Sequence, residues 1–132
     1  MTIVFVVKNY SRFGTLVARL RREQEVELIP APAGTAALAK LKGQRTDLVI
    51  VDEQLDDMSG IDFVKHLVAV NPLVNTAMVG SLPAEDFHEA TEGLGVLMQL
   101  PPSPAERDGE ILLAALAKIS GLMRPAASRA TA

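Results

Sequence analysis

A run of apolar residues leads directly into a carboxylate within residues 47–60, the stretch Asp-Leu-Val-Ile-Val-Asp-Glu-Gln-Leu-Asp-Asp-Met-Ser-Gly. Residues 48–51 are uninterrupted and mostly β-branched, a pattern typical of a strand buried on both faces of a parallel sheet. Asp52 then falls at the carboxyl end of that strand, where open α/β sheets place their ligands and chemistry. Three more acids follow in the same loop, namely Glu53, Asp56 and Asp57. The stretch predicts a site whose chemistry depends on a carboxylate.

Five strand-like segments alternate with helical patterns along the chain. The predicted strands cover residues 3–7, 26–29, 48–51, 76–79 and 96–100. Pro30 is expected to end the second strand, and Ser11 to cap the first helix. The arginines of that helix are expected on a solvated face: Arg12, Arg19, Arg21 and Arg22. Strict alternation of strand and helix predicts a parallel sheet covered on both faces, with right-handed crossovers.

The composition limits the class of protein. A chain of 132 residues makes one domain, and its 48% hydrophobic and 22% charged content is ordinary for a globular protein. The absence of cysteine fits a reducing compartment, so we expect a cytoplasmic protein. A net charge of −3 disfavours direct nucleic-acid binding. No apolar run approaches the roughly 20 residues of a membrane span.

Several other kinds of site are disfavoured. His66 and His88 have no second histidine or cysteine at ligand spacing, so both are expected at the surface. No Ser-His-Asp arrangement and no dinucleotide-binding glycine motif after the first strand is present. A small-molecule or flavin site at the same sheet edge is a third, weaker hypothesis, because the fold hosts such ligands elsewhere.

Residues 2–122 resemble the receiver domain of bacterial response regulators, which has a flavodoxin-like (βα)5 fold with strand order 2-1-3-4-5. The run from Asp47 to Asp52, the following Met58-Ser-Gly60 and the proline after strand five carry this resemblance. It implies that Asp52 matches the aspartate that accepts a phosphoryl group from a histidine kinase. It also implies a signalling module rather than an enzyme, with residues 1–122 as the domain and 123–132 as a disordered tail or truncated linker.

The metal-binding acids of the family are missing. Family members end strand one with two acidic residues that hold Mg²⁺, and the matching residues here are Lys8 and Asn9. We therefore expect no cofactor, with Mg²⁺ only if loop acids such as Glu53 and Asp56 rebuild a site. We also hypothesise that Lys8 pairs with Asp52 in place of the metal; the alternative is that Lys8 points into solvent.

The groups that contact the phosphoryl oxygens in the family are changed too. Gly80 stands where a threonine or serine is usual, with Ser81 next to it, and Leu100 replaces the lysine before Pro101. Gln54, in the loop after strand three, completes the predicted pocket. Family members often hold the bond before this proline in cis, and the sequence leaves cis and trans both open.

These departures favour a degenerate receiver that acts through protein–protein contacts, with phosphorylation impaired or lost. The alternative is an active phosphoacceptor with non-standard metal ligation. The expected partner is a histidine kinase or an output domain, and the expected face comprises helix four, strand five and helix five, which is also a possible homodimer surface. On it we single out Phe87, Pro102 and Leu97, the last at the family's aromatic switch position.

Overall fold

The computed structural model describes residues 1–42 and 45–123, with side chains up to residue 119. The strands are β1 (Thr2–Val6), β2 (Glu27–Ala31), β3 (Leu48–Asp52), β4 (Asn75–Val79) and β5 (Val96–Leu100). The helices are α1 (Gly14–Leu20), α2 (Gly34–Leu41), α3 (Gly60–Val70), α4 (Ala84–Thr91) and α5 (Glu106–Met123), and a 3-10 turn (Tyr10–Phe13) precedes α1. Of the predicted tail at 123–132, all but the first residue lies outside the described residues.

The five strands form one parallel sheet in the order β2-β1-β3-β4-β5, which confirms the predicted fold class. β3 lies at the centre, and all five of its residues are buried. Alternate side chains enter two separate cores. Leu48 and Ile50 join a core with α1 and α5, whereas Val49 and Val51 join a core with α2 and α3. The continuous apolar run is therefore explained by burial on both faces.

The second strand runs through a proline. Pro30 was expected to end β2, but β2 continues to Ala31, with Pro30 exposed and in register with Phe5. The strand tolerates the missing N–H because β2 lies at the edge of the sheet, where one side has no ladder to complete. The prediction was wrong because it applied to an edge strand a restriction on proline that holds for internal strands.

The first helix begins later than expected. Ser11 lies within the 3-10 turn, and its hydroxyl donates to Asn9 Oδ1 at 2.6 Å instead of capping α1. Arg19 is also more enclosed than predicted. Its side chain is 15% exposed and pairs with Glu23, just after the end of α1, and with Glu110 on α5. These contacts join α1 to α5.

Across the parts of the chain that have been described, no helix combines the length and apolar character needed to span a membrane.

Candidate functional site

Asp52 is a nearly buried carboxylate at the carboxyl end of β3, with its side chain 9% exposed. One carboxylate oxygen, Oδ1, accepts a hydrogen bond from the N–H of Glu53 at 2.8 Å. The following loop folds tightly against the strand, since the Gly60 N–H donates to the Glu53 carbonyl at 2.9 Å. A Cβ at Gly60 would lie 2.2 Å from the Asp52 carbonyl oxygen. Glycine is therefore required for this close return of the chain.

The cation beside Asp52 is Arg12. Its Nη2 donates to Asp52 Oδ2 at 2.9 Å, and its guanidinium carbon lies 4.7 Å from the centroid of the Phe13 ring. The Arg12 side chain is 39% exposed, so the ion pair lies at the boundary between the core and solvent. Arg12 is exposed, as predicted, but its guanidinium group is paired with Asp52, which the sequence did not indicate. The 3-10 turn before α1 carries this arginine over the end of β3.

Lys8 does not fill the role that was predicted for it. Its Nζ lies 3.9 Å from Asp56 Oδ1, whereas Asp52 is paired with Arg12. The alternation of side chains along strands gives the reason. Val7 enters the α1–α5 core, so the exposed Lys8 follows toward the other side of the sheet. Asp52 lies on the α1 side, two residues after Ile50, and is therefore reached from the 3-10 turn.

The residues present do not fit the magnesium ion that family members bind. Both oxygens of Asp52 already accept hydrogen bonds, from Arg12 and from Glu53 N–H. Asn9 accepts from Ser11, and Asp56 faces Lys8. Within residues 1–42 and 45–123, no group of three or more histidine, aspartate or glutamate side chains could hold a metal ion. A divalent cation would also meet the positive charge of Arg12.

Asp57, the last acid of the loop, has a structural partner that the sequence did not reveal. Its carboxylate accepts hydrogen bonds from the Thr35 hydroxyl at 2.6 Å and from the N–H groups of Thr35 and Gly34, each at 2.9 Å. These bonds, that of the Thr35 hydroxyl first, lower the pKa of Asp57 to about 2. Asp57 thus caps the start of α2 from a distant loop. An acid in a loop carries no sequence signal for such a role.

The ends of β4 and β5 are joined by hydrogen bonds. The Gly80 N–H donates to the Leu100 carbonyl at 2.9 Å. The amide of Gln99 accepts from the Leu82 N–H at 3.2 Å and donates to the Leu82 carbonyl at 2.9 Å. Ser81 is exposed between these contacts. The site analysis from sequence missed Gln99, because a glutamine in a strand is ordinarily a solvated residue.

Leu100 is fully buried in the core formed with α1 and α5. This position therefore supplies apolar packing where family members supply an ammonium group. Pro101 is exposed, and the bond before it is trans, since no described peptide bond is cis. Gln54 donates to the carbonyls of Leu55 at 3.0 Å and Met58 at 3.4 Å, so its side chain holds the loop together.

The three residues singled out for an interaction face differ in exposure. Phe87 is 7% exposed and belongs to the core formed with α2 and α3, and Leu97 packs partly buried against the other core. Pro102 is exposed. Phe87 therefore anchors α4 and does not offer its ring to a partner in this conformation.

A doubly wound sheet of order 2-1-3-4-5, with a buried aspartate at the carboxyl end of its central strand, defines the receiver class of signalling domain. Residues 4–100 match the family model of the response regulator receiver domain. The chain belongs to this family.

Solved structures of low sequence identity share the fold. Chemotaxis response regulator CheY4 of Vibrio cholerae is 20% identical, with a TM-score of 0.75, and the match covers 87% of this chain and 97% of that one. A CheY-like receiver domain protein from Methanospirillum hungatei is 19% identical, with a TM-score of 0.75 and coverage of 89% and 94%. The RcsB response regulator of Salmonella typhimurium is 18% identical, with a TM-score of 0.76 and coverage of 89% and 62%.

Among curated proteins, the probable transcriptional regulatory protein TcrX of Mycobacterium tuberculosis is 33% identical over 69 residues. The match covers 52% of this chain and 30% of that relative. The chain therefore spans less than a third of the length of this longer protein.

Proposed function

We propose that this chain is a receiver-like signalling module in which phosphorylation of Asp52 is impaired or lost and which acts through protein–protein contacts. The observation that carries the proposal is the ion pair between Arg12 Nη2 and Asp52 Oδ2 at 2.9 Å. An arginine of the protein itself neutralises the carboxylate that family members keep available for phosphorus.

The chemistry of phosphoryl transfer explains why this pair matters. A carboxylate oxygen must attack phosphorus while positioned cations neutralise the charge that spreads over the transferring oxygens. Here one oxygen is bonded to Arg12 and the other to the Glu53 N–H. Leu100 is buried and apolar, so it cannot supply the second cation. A nucleophile remains in position, but each of its oxygens already accepts a hydrogen bond and the usual cations are replaced.

The proposed partners are a histidine kinase or an output domain of the same signalling system, in a cytoplasmic setting. The distribution of charge along the chain indicates the kind of surface that a partner should have. Between Lys65 and Arg107 there is no lysine or arginine, and α4 carries the exposed acids Glu85, Asp86 and Glu89. A face of this kind favours a partner surface that is basic, including one on another signalling protein. Contact between two copies through α4, β5 and α5 is the second form of this proposal.

Labelling with a small phosphodonor tests the proposal. The wild-type chain is incubated with acetyl phosphate and Mg²⁺, and intact mass is measured before and after. We expect no gain of a phosphoryl group. Beryllofluoride, which mimics the phosphoryl group, should likewise leave the amide resonances around Asp52 unchanged. The Asp52→Asn variant is the matched control for any labelling elsewhere.

Phosphorylation of the wild-type chain that disappears in Asp52→Asn would overturn the proposal and favour an active phosphoacceptor with non-standard metal ligation. A restored variant sharpens the result. Arg12→Ala combined with Lys8→Asp and Leu100→Lys returns the acid and the cation and frees the carboxylate. If this variant folds and is labelled while the wild type is not, the natural residues at positions 8, 12 and 100 are the cause of inactivity.

A further inference from the structure

The loop between β4 and α4 is bound to β5 by one side chain. Gln99 Oε1 accepts from the Leu82 N–H at 3.2 Å, and Gln99 Nε2 donates to the Leu82 carbonyl at 2.9 Å. The amide group thus satisfies both backbone groups of a single residue, as a neighbouring strand residue would. The pairing continues the β4–β5 ladder beyond Val79 and Gly80, where regular strand hydrogen bonding ends.

Gly80 leaves the space that this pairing occupies. A Cβ at Gly80 would lie 3.2 Å from Gln99 Oε1 and 3.0 Å from Glu53 Oε2. The side chains of Gln99 and Glu53 therefore converge over the glycine from neighbouring strand ends. A Cβ at position 80 would require at least one of these side chains to shift by a few tenths of an ångström. The absence of a side chain at Gly80 therefore leaves room for the Gln99 amide to bond Leu82.

Few other contacts hold α4 in place. Its buried residues are Phe87 and Thr91, and the Thr91 hydroxyl donates to the Phe87 carbonyl within the same helix. The residue before the helix, Pro83, provides no side-chain cap. The chain leaves it through Gly93 and Gly95, both in the left-handed region with φ of 79° and 69°. A helix anchored this weakly depends on the loop that enters it.

We propose that Gln99 is a latch that fixes the β4–α4 loop, and with it the position of α4, without a phosphoryl group at Asp52. The inference rests on the proposed function, because it supplies the regulation of a receiver that cannot use phosphorylation. The latched state presents the acidic face of α4 in a single position. In the open state, with Leu82 released, the described anchors of α4 are its two buried residues, Phe87 and Thr91. A partner that binds the latched face would bind equally well with or without a phosphodonor.

Amide hydrogen exchange on the full chain, followed by NMR, tests the latch. In Gln99→Ala and in Gln99→Met, which keeps the length of the side chain but not its amide, we expect exchange at the Leu82 amide to increase about tenfold. The resonances of Phe87 and Thr91 should shift or broaden. The matched control is Gln54→Ala, because Gln54 also bonds backbone carbonyls at this sheet edge, but in the β3–α3 loop.

Exchange at Ile50 reports the stability of the whole fold, and the increase at Leu82 should exceed any increase at Ile50. The latch is refuted if exchange at Leu82 stays within twofold of wild type. It is also refuted if Gln99→Met retains the protection, since packing would then replace hydrogen bonding as the cause. Unchanged Phe87 and Thr91 resonances would overturn the claim that the loop positions α4.

The measurement is made without a phosphodonor, so its failure is distinct from failure of the proposed function. Labelling of wild-type Asp52 by acetyl phosphate would refute the loss of phosphorylation. The exchange rates at Leu82 would still decide whether Gln99 fixes the loop. Equal exchange at Leu82 before and after addition of acetyl phosphate is expected. A change confined to the treated wild-type protein, and absent from Asp52→Asn, would refute a permanent latch.

Discussion

The ion pair between Arg12 and Asp52 can be measured as a coupling free energy. The relevant variants are Arg12→Ala, Asp52→Asn and the double variant, compared with wild type in a double-mutant cycle. The two partners differ in environment, since the Asp52 side chain is 9% exposed and the Arg12 side chain 39% exposed. Removing Arg12 leaves a nearly buried carboxylate, whereas removing the charge of Asp52 leaves an arginine that reaches solvent. The two single variants should therefore not cost the same.

The expected magnitude follows from distance and exposure. Two unit charges about 4 Å apart interact by about 4 kcal/mol at an effective dielectric of 20. Solvent around Arg12 screens this attraction, and holding a long side chain in one geometry costs entropy, so we expect a net coupling of about 1 kcal/mol. Arg12→Ala should cost about 1–2 kcal/mol, because Asp52 then keeps only its bond from the Glu53 N–H. Asp52→Asn should cost less, about 0.5 kcal/mol.

Urea unfolding of the four proteins, followed by circular dichroism at neutral pH, gives these free energies. Arg21→Ala is the control, because Arg21 is exposed and makes no ion pair with the side chains that the structure describes. It should change stability by less than about 0.5 kcal/mol. A coupling energy near zero would refute the reasoning. So would an Asp52→Asn variant that costs more than Arg12→Ala.

Two further predictions concern the loop after β3. Asp57→Ala should raise amide exchange at Thr35 and lower the free energy of unfolding at neutral pH. Because the pKa of Asp57 is lowered, its contribution to stability is lost only on protonation, so the difference in unfolding free energy between variant and wild type should narrow as pH falls from 3.8 toward about 2. A difference in unfolding free energy that does not depend on pH would contradict the capping role. Gly60→Ala should lower the free energy of unfolding in urea by more than about 2 kcal/mol, because its Cβ would meet the Asp52 carbonyl. The control Gly14→Ala has open space around its Cβ and should not destabilise the protein. Equal urea midpoints for the two variants would contradict this prediction.

The fold could be predicted because its signals are local and consistent. The apolar run before Asp52 is typical of a strand buried on both faces, and its alternate residues do enter two cores. The error at Pro30 had a specific cause. Proline is excluded from internal strands but tolerated at the edge, and the local rule was applied to β2 without regard to its edge position in the predicted strand order.

The site was harder to predict, because its partners come from distant elements. Asp52 was placed at the end of β3, but its cation was sought in Lys8 because that residue follows β1 directly. The actual cation, Arg12, lies in the 3-10 turn that precedes α1. Helical periodicity placed the same arginine on a solvated face. Gln99 was missed for a similar reason, since its bonds to Leu82 form across 17 residues.

The changes at this site differ in how closely they are tied to the fold. Lys8 and Arg12 are exposed residues, so their replacement would leave both cores intact. Leu100, by contrast, is fully buried in the core with Leu112 and Phe5. A lysine there would have to bring its ammonium group out of apolar surroundings, since an uncompensated buried charge is strongly unfavourable. The apolar residue at position 100 has therefore become part of the packing. Restoring phosphoryl chemistry therefore requires that this core accommodate Leu100→Lys, in addition to the removal of the arginine from Asp52.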